Sequence, residues 1–323
     1  MNSKLIICIK FAFAIFLLWI LYRLKLIQIS SILVMIKNPW SLVGLTVLAW
    51  FTSPLCTLRW RLLLQVQGIE TNFAELFRIV YASSLFGLYL PGVVGGDVVR
   101  TVFGSRLSPG KIPKITLSVV FDRLMGVVGL LVLGLAGCFL FFRSFWMNKP
   151  LGFFMVLAAS LLAIAIFLAV FAVLFSSPLH QLSKRNKWRR RNFFFRSLAQ
   201  LIEAIISYSK NRKRVLAALV ISILVHAKNI VSLLIIAEIV LAKAVEPVGV
   251  AISGFVAFLT NFIPLTPGGI GLGEAAFSQI AIMLTPASAE TDFGSIFLLH
   301  RGLTILALIP AAFAMPRFIG KQI

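Results

Sequence analysis

Acidic residues are scarce in this sequence: Asp and Glu together number 10 in 323 residues, against 31 Lys and Arg. Charge as a whole is thin at 13%, where a soluble domain carries about a quarter. Cysteine is nearly absent. Cys8, Cys56 and Cys138 lie far apart within apolar runs, with neither metal-ligand spacing nor a disulfide framework, and read as small core residues. Apolar–polar alternation of period two is missing, which removes a β-barrel from consideration. No Walker sequence is present, so direct use of ATP is not expected. No His/Asp cluster has metal spacing and no nucleophile has an adjacent base. The sequence therefore predicts no metal and no other cofactor, and favours a non-enzymatic role.

What the chain has instead is length of apolar run. It is 60% apolar, with a mean hydropathy of +1.00. Trp40 to Leu58 and Leu151 to Ser176 contain no charge at all, and each exceeds the roughly 18 residues that mark a spanning helix. In hydrocarbon the backbone must satisfy its own hydrogen bonds, so such runs form helices. Six segments are long enough to span: Leu5–Tyr22, Trp40–Leu58, Thr116–Phe142, Leu151–Ser176, Val215–Ala242 and Gly294–Pro316. The first lacks a small-residue cleavage site and is followed by Arg23 and Lys25, so it reads as an uncleaved helix. Three shorter stretches, Ile79–Leu90, Val248–Thr260 and Ala275–Thr285, suit re-entrant or broken helices. The sequence predicts an all-α, polytopic helical membrane protein of about six spans.

Loop charge orients these segments. Arg100, Arg106, Lys111 and Lys114 form one basic loop, and the stretch Lys184–Arg214 forms a second. The positive-inside rule places both in the cytoplasm, and the chain is expected in the cytoplasmic (inner) membrane. Arg23–Asn38, basic yet external on this scheme, is its one discord. The net charge of +21 then reads as attraction to anionic lipid, not to nucleic acid, for which no stacking platform accompanies the charge. The run Lys184–Arg191 with its Trp188 is a solvated loop that adsorbs to lipid headgroups. The whole of 1–323 reads as one membrane domain. Its first half, 40–142, contains a broken segment at 79–99; a basic loop follows at 177–214; its second half, 215–318, contains a broken segment at 248–285.

The two broken segments are related. Phe86, Pro91, Gly92 and Gly95 match Phe262, Pro267, Gly268 and Gly271, each pair 176 positions apart, and each glycine run is followed by an acid. Opposite orientation of two such halves is the signature of an inverted repeat. Proline interrupts the helical ladder, and glycine lets the backbone turn or approach a ligand. A helix restarting after the glycines offers unpaired N–H groups and a positive dipole end to an anion. The alternative is that Gly and Pro only allow tight packing and kinks.

The same residues carry a resemblance. Arg59-Trp60-Arg61, Leu90-Pro-Gly-Val-Val-Gly-Gly-Asp-Val-Val-Arg100, Asp122-Arg123-Leu124 and Thr266-Pro-Gly-Gly-Ile-Gly-Leu-Gly-Glu274 resemble the lysylphosphatidylglycerol synthase transmembrane region. That family is also described as flippase-like, and the resemblance runs from about Leu42 to Phe318. It implies handling of a phospholipid, isoprenoid or glycolipid. No soluble aminoacyl-transferase domain accompanies it here, so synthesis of lysylphosphatidylglycerol is not expected. Asp122 stands where the family often has Glu.

Ionisable residues inside spans are costly and mark function or pairing. The candidate substrate site comprises Pro91, Gly92, Gly95, Gly96, Asp97 and Arg100, then Asp122 and Arg123, then Pro267, Gly268, Gly269, Gly271, Gly273 and Glu274, and finally Arg301. Arg100, Arg123 and Arg301 are expected to line a polar cavity and bind phosphate, with Asp97 and Glu274 orienting them or carrying a proton. Asp122-Arg123 reads equally well as an interfacial pair at the start of a span. His226 and Lys228 point about 200° apart on a helix and are not expected to act together. A lipid flippase is the leading reading, with anionic membrane lipids as partners. A membrane transferase, or an accessory subunit bound to proteins of a lipid or glycan pathway, is the alternative.

Overall fold

A computed structural model of the chain describes residues 12, 15–16, 18–23, 26–89, 94–140, 207–242, 245–262, 266, 269–284 and 292–319. The segment Leu151–Ser176, most of Leu5–Tyr22 and the basic run 184–191 lie outside the described residues, as do Pro91, Gly92, Pro267 and Gly268. Among the described residues every regular element is a helix. These are α1 (Ile29–Ile36), α2 (Pro39–Trp50), α3 (Thr52–Val66), α4 (Phe73–Tyr89), α5 (Val94–Leu107), α6 (Ile112–Leu140), α7 (Arg212–Leu241), α8 (Pro247–Thr260), α9 (Leu272–Leu284) and α10 (Phe293–Ile319).

Among the described residues, four stretches are long and apolar enough to cross a membrane: Pro39–Val66, Ile112–Gly137, Arg212–Leu241 and Phe293–Ala311. The protein is a polytopic helical membrane protein. Along α7, Leu216, Val220, Leu224, Val231 and Ile235 are exposed, while Ala218, Ile221, Val225, Leu233 and Ile236 are buried. Apolar side chains thus cover both faces, one turned to protein and the other suited to lipid.

The predicted span Trp40–Leu58 differs from expectation at both its middle and its end. It breaks at Phe51, because Pro54 has no N–H to return to the Trp50 carbonyl four residues earlier. It then runs past Leu58 to Val66, through Arg59 and Arg61. Arg59 does not end the helix because it is buried against a partner described below.

The chain forms two compact units: Met1–Pro54 with Val80–Val99 and Val225–Ile323, and Leu55–Ile79 with Arg100–Leu224. Helices α3, α4, α5 and α7 contribute residues to both. In the first unit, α8 and α9 pack on each other and α9 packs on α10. At 1.5 Å per residue these two short helices reach only about 20 Å, less than the roughly 30 Å hydrocarbon core. Glu246 caps α8 by accepting the Gly249 N–H at 2.7 Å, and Pro247 opens its first turn. Asp292 heads α10, accepting hydroxyl bonds from Ser295 at 2.6 Å and from Ser31. Burial raises its pKa above the ordinary carboxylate value, and those two bonds only partly oppose the shift.

The approach of α5 to α4 shows what one motif glycine does. Helix α5 starts at Val94, so Gly95 and Gly96 lie inside its first turn, not ahead of it. A Cβ at Gly96 would sit 2.6 Å from the Ser83 carbonyl oxygen on α4 and 3.4 Å from the Gly87 Cα. Only glycine permits that backbone approach, as in close helix pairs of membranes generally.

The second unit has a core of Leu63, Val66, Tyr208 and Ala218, with Leu117, Phe121, Met125 and Val215 packed against it. The Phe121 and Tyr208 rings stack at 4.0 Å. Helices α6 and α7 meet at Gly129, where a Cβ would lie 2.6 Å from the Ser222 Cβ and 3.1 Å from its carbonyl carbon. Gly129→Ala is therefore expected to cost about 1–3 kcal/mol by overpacking and to lower the melting temperature in detergent. Gly137→Ala is the control, since no described residue lies within 4 Å of its Cβ position and alanine favours helix. Equal melting of the two variants would remove the proposed close contact.

Candidate functional site

Two clusters of buried charge stand out, one in each unit. In the second unit, Asp122 lies ten residues into α6, about 15 Å from the helix start. Its side chain is 1% exposed, so the carboxylate is enclosed by protein. Arg59 on α3 grips it with two bonds, Nε to Oδ1 at 2.6 Å and Nη2 to Oδ2 at 3.0 Å. The remaining Arg59 nitrogen, Nη1, donates to Ser222 Oγ on α7 at 3.0 Å. Arg100 on α5 adds one bond, Nη1 to Oδ2 at 2.7 Å.

The Arg100 guanidinium also lies over the Trp60 ring, 4.1 Å from its centroid. Trp60 is fully buried and its indole N–H donates to Ser118 Oγ at 2.9 Å, which fixes the ring as a platform. Gly104 lets α5 approach this platform: a Cβ there would be 3.2 Å from Trp60 Cη2. Two guanidiniums thus share one carboxylate, and the cluster carries one surplus positive charge. Arg123, half-buried beside Asp122, acts on it electrostatically as well.

In the first unit, Glu274 occupies the first turn of α9 and is fully buried. Its Oε1 accepts Arg301 Nε from α10 at 2.7 Å, and its Oε2 accepts the Gly271 N–H at 2.7 Å. Arg301 Nη2 continues to the Gly269 carbonyl at 3.1 Å and toward Asn261 Oδ1 at 3.4 Å. Gly269 and Gly271 have φ of +73° and +84°, conformations that glycine adopts without strain. Gly273 is required for a different reason. A Cβ there would lie 2.6 Å from the Phe297 ring and 3.0 Å from Arg301 Nη2. One carboxylate meets one guanidinium here, so this cluster is neutral.

Of the residues singled out from sequence, the structure brings Arg100 to Asp122 and Arg301 to Glu274. Asp97 and Gly95 are half-buried on α5, and Gly96 is buried there. His300 packs against Phe258 and Phe297 while its neighbour Arg301 takes Glu274. His226 also faces Phe258, and Lys228 donates to Asn229 at 2.8 Å.

Arg59 and Asn261 were not among the predicted site residues. Arg59 stands in the run Arg59-Trp60-Arg61 just beyond an uncharged stretch, where a basic residue reads as the end of a span. Asn261 had no signal in the sequence.

Residues 6–312 match the protein family described as the lysylphosphatidylglycerol synthase TM region. A UPF0104 membrane protein of Methanocaldococcus jannaschii is 24% identical over 321 residues, covering 90% of this chain and 88% of that one. No solved structure matches the chain.

Proposed function

Since the chain belongs to the family of lysylphosphatidylglycerol synthase transmembrane regions, we propose that it moves a lipid or lipid-linked molecule across the cytoplasmic membrane. The observation that carries this reading is the Arg59–Arg100–Asp122 cluster, a surplus cation whose Arg59 and Asp122 lie on two stretches long and apolar enough to cross a membrane. A charge so placed is expensive, and retaining it fits a group that meets an anionic substrate. The pair of short packed helices, α8 and α9, supports the same reading, because broken helices line polar paths in transporters. Its partners on this account are anionic lipids.

The test is reconstitution of the purified protein in liposomes with a panel of labelled phospholipids, polyprenyl-linked lipids and glycolipids. Transbilayer movement of at least one class above that in protein-free vesicles is expected. Movement of none of them would leave the reading without support.

A further inference from the structure

Arg100 is unevenly used. Its Nη1 reaches Asp122, yet its Nε and Nη2 are buried and have no hydrogen-bond partner among the described residues. Those two nitrogens form one edge of the guanidinium fork. Arg59 uses the equivalent edge, Nε and Nη2, to hold both oxygens of Asp122. The same edge of Arg100 is therefore shaped for a second oxyanion. A buried donor left unpaired is costly, so an arrangement that keeps one has a use for it or a partner to come.

We propose that this edge of Arg100 binds the phosphate group of a ligand, deepening the transport reading above and resting on it for the identity of the carrier. A phosphodiester carries negative charge, and the two arginines on one aspartate leave positive charge to meet it. The Trp60 face supports the guanidinium plane in the resting cluster. Asp122 remains neutralised throughout, because Arg59 keeps its two bonds when Arg100 turns toward the anion. The edge is closed to solvent in this structure, so phosphate entry and movement of Arg100 occur together. Glu274–Arg301 offers no such charge: it is a one-to-one pair with Arg301 also donating to Gly269.

Binding is measured on the full chain in detergent, by titration with inorganic phosphate, with phosphatidylglycerol in mixed micelles, and with diacylglycerol as the phosphate-free control. The readout is heat released together with tryptophan fluorescence. Phosphatidylglycerol is expected to bind saturably, and Arg100→Gln to weaken it by about tenfold or more. Arg100→Lys, which keeps charge but not the fork, is expected to fall between them. Circular dichroism melting of both variants establishes that they fold.

Competition by inorganic phosphate, or binding of phosphate alone, also supports the site and in the second case names free phosphate as the source. Equal affinity in Arg100→Gln, equal binding of diacylglycerol, or no binding of any phosphate overturns it. Arg100-dependent binding without transbilayer movement would remove the transport reading and leave the site standing. Movement with binding indifferent to Arg100 would do the reverse.

Discussion

Asp122→Asn is expected to destabilise the protein by about 3–5 kcal/mol, the range for breaking a buried ion pair by removing one partner. The carboxylate makes three bonds to two arginines and is the cluster's compensating charge among the described ion pairs. Asparagine keeps the shape but places two like charges, 7% and 5% exposed, against each other with no anion between them. Its amide would also turn a donor toward one of the two guanidiniums, adding an unsatisfied pair. The melting midpoint of purified protein in detergent reads this directly. Arg100→Gln provides the internal comparison, since the two-bond Arg59–Asp122 pair survives it and the net charge falls to zero. It should melt well above Asp122→Asn. If Asp122→Asn melts with the wild type, the three side chains do not form the cluster described.

Glu274→Gln carries the second large effect, and its character is local. The carboxylate accepts from opposite sides, Arg301 Nε on one oxygen and the Gly271 N–H on the other. Glutamine supplies one acceptor and one donor, so one of those N–H groups must face another N–H. The half-buried Arg301 charge also loses its counterion, and a loss of about 2–4 kcal/mol follows from the two effects together. The damage should concentrate where Gly269, Gly271 and the first turn of α9 are tied to α10. Hydrogen exchange is the suitable measurement, with protection expected to fall over 269–278 while amides of α6 keep theirs. A uniform loss across both units, or none, would contradict the bracing role given to Arg301.

Much of this was legible in the sequence where a single segment carried the information. The spans read as Val215–Ala242 and Gly294–Pro316 appear as Arg212–Leu241 and Phe293–Ile319, because long apolar runs leave little choice but helix. The stretch Ile79–Leu90 appears as the last part of Phe73–Tyr89. Its start was hidden because Glu75 and Arg78 lower the hydropathy without interrupting the helix. The need for small residues at Gly96 was visible as a motif, but its cause was not: the Ser83 carbonyl comes from a neighbouring helix.

The candidate site was legible by residue type and not by pairing. Arg100, Asp122, Glu274 and Arg301 each looked out of place in apolar surroundings. Their partnerships depend on contacts between helices that are far apart in sequence: Arg59 with Asp122, and Glu274 with Arg301. Arg59 itself was masked by position, since a basic residue just beyond an apolar run ordinarily marks where a span meets the aqueous phase. Charge balance, two arginines on one aspartate against one on one, emerges only when those contacts are known.

The central claim is that a lipid crosses the bilayer by way of the arginine cluster. Its most direct test is transbilayer movement of labelled phosphatidylglycerol in liposomes holding equal amounts of wild type and folded Arg100→Gln. The account predicts movement by the wild type well above protein-free vesicles, and movement near the protein-free rate in the variant. Equal movement in both would contradict the role given to Arg100, and none in either would contradict transport of this lipid altogether.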